Sequence, residues 1–152
     1  MAKTRANTGN GAIFYVGDSA SPTGYIALLE VKDLGYDPLS VPVLDATHLL
    51  SPNNTSEKIP GMIMPGQISL TGNFVGDTTQ MNISTLAQAQ TVFPWKITAP
   101  LRPLTDGGAA RVYTATGIGF FAKYTPGSFA AGKLNEMKAT LEISGSITES
   151  VA

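Results

Sequence analysis

Glu136-Met-Lys-Ala-Thr-Leu-Glu-Ile-Ser-Gly-Ser-Ile-Thr148 alternates apolar and polar residues with a period of two. Met137, Ala139, Leu141, Ile143 and Ile147 fall on one face, and Glu136, Lys138, Thr140, Glu142, Ser144, Ser146 and Thr148 on the other. This period belongs to a β-strand with one face on a core, because successive side chains leave opposite sides of the backbone. At ~3.3 Å per residue the strand extends roughly 40 Å, about twice a common length.

The same alternation recurs upstream. In Ala110–Tyr124, Val112, Thr114, Thr116, Ile118 and Phe120 share a side, while Gly117 and Gly119 on the other predict a bend, a bulge or close approach of another backbone. Thr91–Thr98 puts Phe93, Trp95 and Ile97 together, a stripe better assigned to a core than to an exposed sugar platform. In Gln67–Phe74, Ile68, Leu70 and Phe74 oppose Gln67, Ser69, Thr71 and Asn73. Two more strand-like runs, Leu28–Leu34 and Ser40–Thr47, form a predicted strand pair, with Pro42 marking an edge or bulge. One helix is predicted over 77–90: Asp77 and Gln80 fit a capping box, and Ile83, Leu86 and Ala87 fall on one helical stripe. The expectation is a single β-rich domain, 1–152, with two segments outside the core: an arm at 1–12 and an excursion at 47–65. The excursion, about 19 residues, is long against the roughly 4–6 typical of compact domains, and it is expected to reach something beyond its own domain.

At 152 residues, 43% hydrophobic and 14% charged, the chain can bury a core without metals or disulfides. Ten basic and eleven acidic residues argue against tight non-specific nucleic-acid binding, which needs clustered Lys and Arg. The absence of cysteine excludes disulfides and thiolate chemistry. Ile13–Val16 is too short an apolar run for a signal h-region or membrane span, so a soluble protein made in a cytoplasm is expected and the sequons at Asn53, Asn54 and Asn82 read as chance.

Catalytic motifs fail on context. Gly127–Lys133 approaches a P-loop, but Leu134 replaces the hydroxyl residue and a strand follows instead of a helix. Gly117-Ile-Gly119-Phe-Phe-Ala122 matches a dinucleotide fingerprint inside a strand, where no helix opens. Gly17-Asp18-Ser19 with Asp45-Ala-Thr-His48 resembles fragments of GDSL-type hydrolases, with Ser19 as nucleophile, His48 as base and Asp45 orienting it, in the wrong chain order for that fold. Glu136 and Glu142 lie about 20 Å apart along a strand, too far to share one bond. No metal-ligand spacing occurs. No enzyme activity and no cofactor are expected.

The order of parts carries a resemblance. An arm, the runs LLEVKDL and SVPVLDAT, a long loop leaving through Ile59-Pro60-Gly61-Met62, the strand GQISLTGNF, one helix, VFPWKIT and a terminal LEISGSIT follow one another. From about Ile26 to Thr148 the chain resembles the major tail tube protein of long-tailed, non-contractile bacteriophages. The resemblance implies an antiparallel β-sandwich or barrel with one flanking helix. It also implies stacked hexameric rings forming a tube for DNA ejection, with a tape measure and a tail terminator as partners, in a virion tail assembled in the host cytoplasm. Thr47, His48, Ser51, Asn53, Asn54, Glu57, Lys58 and Ile59 of the loop, and Lys3, Arg5 and Asn7 of the arm, would then bridge subunits. Gln67, Ser69, Thr71 and Asn73 would face the lumen, where a surface without Lys or Arg rings lets DNA slide past without specific binding. The same polar side chains would equally suit the wet face of a monomer. The alternatives are a β-sandwich binding module or another virion component: a tail terminator, a decoration protein, or a tube subunit of a contractile tail or type VI secretion system.

Overall fold

The computed structural model describes residues 6–17, 24–127 and 129–152. In chain order the strands are β1 (Ile13–Gly17), β2 (Tyr25–Ala27), β3 (Val31–Ser40), β4 (Val43–Asp45), β5 (Lys58–Pro60), β6 (Met64–Asn73), β7 (Phe93–Leu101), β8 (Arg111–Thr125) and β9 (Glu136–Val151). One helix, α1 (Thr78–Ala89), joins β6 to β7. Seven strands make one antiparallel sheet in the order β2-β1-β7-β8-β9-β6-β3, and β4 pairs with β5 apart from it.

The long terminal strand organises the core as its alternation requires. Met137, Ala139, Leu141 and Ile143 are buried, and Ile147 is half-buried. Ile68 and Leu70 of β6, Phe93, Trp95 and Ile97 of β7, and Phe14 and Val16 of β1 complete the apolar layer. The sheet curls over this layer until Tyr36 on its β3 edge meets Trp95 of β7, which gives the sandwich its closure. Ile83 of α1 is fully buried as the helix packs on β8, and Phe93 stacks on Phe121 beside it at 5.0 Å.

In β8 the inward residues are Ala115, Gly119 and Phe121, so Val112, Ile118 and Phe120 face outward. The glycines explain the choice. A Cβ on Gly117 would lie 2.9 Å from Trp95 Cζ2, and one on Gly119 would lie 2.5 Å from the Glu142 carbonyl oxygen. Of the bend, bulge or close backbone approach expected at these glycines, the approach is seen at Gly119, and a register irregularity is seen beside Gly117: the β8–β9 register shifts between Thr116 and Ile118, where Gly145 of β9 takes a φ of 78°.

Two expectations need correction. The runs Leu28–Leu34 and Ser40–Thr47 are not a strand pair. Val31–Ser40 is one continuous strand, β3, which pairs with β6, while β4 pairs with β5. Pro38 is tolerated inside β3 because that strand is a sheet edge, where a missing N–H interrupts no ladder on its open side. The excursion at 47–65 is also not loop throughout: its return limb holds β5 and the first residues of β6.

At the start of α1, Asp77 Oδ1 accepts the Gln80 N–H at 3.0 Å, as a capping residue does. Gln80 does not return the bond to Asp77. Its fully buried amide accepts from the Val75 and Gly76 N–H groups at 2.9 and 3.0 Å and donates to the Asn73 carbonyl at 2.8 Å. One side chain thus ties the end of β6 to the first turn of the helix.

Candidate assembly interface

The β4–β5 hairpin stands apart from the main sheet. Its ladder pairs Val43 with Pro60, Leu44 with Ile59 and Asp45 with Lys58. It continues through Ala46 N–H to the Glu57 carbonyl and Gly61 N–H to the Pro42 carbonyl, both at 2.8 Å. Leu44 and Ile59 lie opposite each other on one face, and Val43 and Pro60 on the other, so both faces present apolar surface. A free two-stranded ribbon is marginal in water, and exposed apolar patches of this kind mark surfaces that another molecule covers.

The tip is fastened by its own polar residues. Thr47 N–H donates to Asp45 Oδ1 at 2.9 Å, and the Glu57 N–H donates to the Thr47 hydroxyl at 2.9 Å. Hydrogen bonds from Thr47, through its hydroxyl and its N–H, hold the exposed Asp45 carboxyl below its usual range. Ser51 Oγ donates to Glu57 Oε2 at 2.6 Å while accepting the His48 N–H at 2.9 Å. The His48 ring closes the set: Nδ1 accepts the Leu50 N–H at 3.1 Å, and Nε2 lies 3.2 Å from Glu57 Oε2. Asn53 and Asn54 turn the chain in a single 3-10 turn, with left-handed φ of 55° and 52°, a conformation Asn tolerates better than most residues. The outcome is a shaped loop whose most exposed large apolar residues, Leu49 and Leu50, are 104% and 86% exposed.

Of the residues expected to bridge subunits, Thr47, His48, Ser51 and Glu57 form this latch, Asn53 and Asn54 the turn, and Lys58 and Ile59 the stem. Leu49 and Leu50 escaped the reading because two adjacent leucines in a polar loop show no period. In the arm, Asn7 Oδ1 accepts the Arg102 N–H at 2.7 Å, tying residue 7 to the end of β7 of its own chain. Lys3 and Arg5 lie outside the described residues.

The polar side of β6 belongs to a broader panel. Gln67 sits between Asp37 of β3 and Glu142 of β9, Ser69 between Gly35 and Thr140, and Thr71 between Asp33 and Lys138. Gln67 and Ser69 are exposed, whereas Thr71 and Asn73 are half-buried. Asn73 is engaged within the chain, donating through Nδ2 to Glu30 Oε2 at 3.1 Å.

The enzyme-like motifs do not converge. Gly117–Ala122 lies inside β8, and Gly127 and Gly132–Lys133 lie in the turn before β9, with no helix after them. Asp18 and Ser19 lie outside the described residues. His48 offers no free nitrogen to a serine hydroxyl, since Leu50 and Glu57 engage both ring nitrogens. Glu136 is held by Lys32 at 2.7 Å, and that contact keeps its carboxyl below the usual range. Among the described residues no cluster of three or more His, Cys, Asp or Glu could hold a metal ion, and no helix is long and apolar enough to cross a membrane.

No protein-family model and no curated protein sequence matches the chain. Solved structures do. A chain from the tail of an empty gene transfer agent particle, computed with helical refinement and C6 symmetry, superposes with a TM-score of 0.73 at 13% identity over 95% of this chain and 99% of that one. The fold is tail-tube-like. A chain of the anti-feeding prophage baseplate gives a TM-score of 0.67 at 9% identity, covering 99% of this chain and 97% of that one. A chain of the sheath–tube complex of an extracellular contractile injection system gives 0.63 at 17%, covering 93% and 88%. At such identities the tail-tube-like fold describes the backbone path, and the chemistry of this surface has to be taken from its own residues.

Proposed function

We propose that this chain is a structural, non-enzymatic subunit of a phage tail tube, built as stacked rings around a channel. The observation that carries this reading is the β4–β5 hairpin. A ribbon with apolar surface on both faces, a latched tip and little contact with its own sheet is suited to lie on a neighbouring subunit. The ten-residue β3 edge adds a second adhesive element, because a sheet edge presents unpaired N–H and C=O groups to another chain. The tail-tube-like backbone supports the same reading.

Six subunits per ring, a long-tailed non-contractile phage and the passage of double-stranded DNA are the finer assignments. The Gln67–Ser69–Thr71 panel fits the channel wall: uncharged hydroxyls and amides hydrate it, and of the charged residues beside it Asp33, Asp37 and Glu142 outnumber Lys138, so the panel as a whole does not hold phosphates. In that setting the tube would meet a tape measure inside and a terminator at its end, and the protein would reside in the virion tail after assembly in the host cytoplasm. A second reading is a tube or terminator subunit of a contractile system, favoured by the likeness to chains of such assemblies at TM-scores of 0.63 and 0.67. Negative-stain microscopy of concentrated protein tests both. Hollow tubes of indefinite length are expected of a tube subunit, single rings that do not stack point to a terminator, and dispersed monomers contradict the assembly reading.

A further inference from the structure

The β4–β5 tip needs a seat, and the chain carries an apolar recess that could provide one. Between α1 and the β1–β2 edge lies a recess of about 720 Å³ with Val16, Ile26, Leu28, Met81 and Leu86 in its walls. None of its described lining residues is charged. Ile26 and Met81 are 48% and 49% exposed, so the recess has no complete cover within the described part of its own chain. We propose that Leu49 and Leu50 of one copy seat in this recess of another copy. The proposal rests on the assembly reading above and names the receptor surface for it.

Three observations favour this occupant. Leu49 and Leu50 carry no charge and the nearby Glu57 is engaged by Ser51 and His48, so a recess whose described lining is uncharged takes the two leucines without desolvating an unpaired charge among those residues. The latch fixes the apex before contact, which removes much of the ordering cost that a loose loop would bring to an interface. Finally, a projection that meets a different surface on its partner makes a heterologous contact, the kind that propagates into rings or stacks and does not stop at a two-fold dimer. A smaller recess of about 380 Å³, lined by Leu39, Ile63, Pro65 and Ile147, lies at the foot of the hairpin and serves as the competing seat.

The chain has no cysteine, so single-cysteine proteins report the contact without background. Leu50→Cys is mixed with size-tagged Met81→Cys under oxidising, assembling conditions, and in a parallel mixture with size-tagged Ile147→Cys. The expected result is a mixed disulfide heterodimer with Met81→Cys, lost when Leu49→Asp is added to the Leu50→Cys protein, and none with Ile147→Cys. A heterodimer through Ile147→Cys, or none with either partner while rings or tubes still form, overturns the seat and leaves the assembly reading standing. If the unsubstituted protein forms no assembly at all, the assembly reading falls and the seat falls with it.

Discussion

Tyr36 meets Trp95 edge to face, with ring centroids 6.0 Å apart and planes inclined by 68°. The two residues lie on β3 and β7, four places apart in the strand order, so their contact marks where the curled sheet closes on itself. Trp95 is fully buried and its Nε1 has no hydrogen-bond partner, which leaves shape and dispersion as its contribution. Burial raises the Tyr36 and Tyr113 hydroxyls above their ordinary range, and the Glu149 carboxylate beside both adds to the rise.

Trp95→Ala is expected to cost about 3–5 kcal/mol, the range for emptying a large aromatic site. Tyr36→Phe keeps the ring contact and loses the hydroxyl's hydrogen bonds with Tyr113 and, at a long 3.4 Å, with Glu149, so its cost is expected to be about 1 kcal/mol, well below that of Trp95→Ala. Urea unfolding monitored by circular dichroism separates the two. A larger loss for Tyr36→Phe than for Trp95→Ala would contradict the closure described here.

Gly119→Ala tests the β8–β9 approach. Its new Cβ would press on the Glu142 carbonyl oxygen at 2.5 Å and Leu141 Cδ2 at 2.7 Å, so the backbone must shift. A loss of about 1–3 kcal/mol is expected. Gly132→Ala has open space around its Cβ position but a φ of 76°, so it separates conformational strain from steric contact. Thermal melts of the two variants should place Gly119→Ala clearly lower.

At the β6–α1 junction, Gln80→Ala removes three hydrogen bonds at once and leaves the Val75 and Gly76 donors and the Asn73 carbonyl without their partner. Water can take up the Val75 and Gly76 donors in part, but the substitution also empties the fully buried Gln80 site, so a loss of about 1–3 kcal/mol is expected, whereas losing a helix cap such as Asp77 costs ~1 kcal/mol. Gln80→Ala is therefore expected to destabilise more than Asp77→Ala in the same denaturant titration. Equal losses would mean that Gln80 acts only as an ordinary helix residue.

The Lys32–Glu136 pair gives a pH dependence with a definite sign. The folded carboxyl of Glu136 is depressed, first by the Lys32 hydrogen bond and then by its charge. Its stabilisation is present above the unfolded carboxylate range, about 4.3, and is lost as pH falls through the lower folded value. Stability measured against Glu136→Gln should differ slightly at neutral pH and low salt, and the difference should shrink both in acid and in high salt. A difference that grows on acidification would rule the pair out as its source.

What the sequence made legible follows from how strongly the two faces of each strand differ. β9 and β6 each have one buried and one wetter face, so their period-two pattern could be read directly, and in β7 the Phe93, Trp95 and Ile97 stripe was legible although Pro94 on the other face is buried as well. β3 could not: its register shifts between Val31 and Asp33, and its second half, with Pro38 on the sheet edge, carries no clean alternation that would join Leu28–Leu34 to Ser40. The β4–β5 stem was hidden for the opposite reason, since Val43, Leu44 and Ile59 put apolar groups on both faces and erase the alternation. Midway along β8, Ile118 and Phe120 face outward and Gly117 and Gly119 inward, because the Trp95 indole and the β9 backbone occupy the space a side chain would need there; Phe121 turns back into the core. Of the candidate interface, the latch residues were named from loop length and resemblance, while the Leu49–Leu50 apex emerged only from its exposure.

The central claim is that the hairpin assembles subunits without being part of their fold. Sedimentation velocity over a wide range of protein concentration and salt, on the unsubstituted chain and on Leu49→Asp/Leu50→Asp, tests it most directly. Covering two leucines contributes roughly 1.5–3 kcal/mol each, enough to decide a repeated contact. The expected result is concentration-dependent polymer for the unsubstituted chain and a folded monomer with an unchanged melting temperature for the variant. A single monomer boundary for the unsubstituted chain under every condition, or undiminished polymer from the variant, would contradict the account.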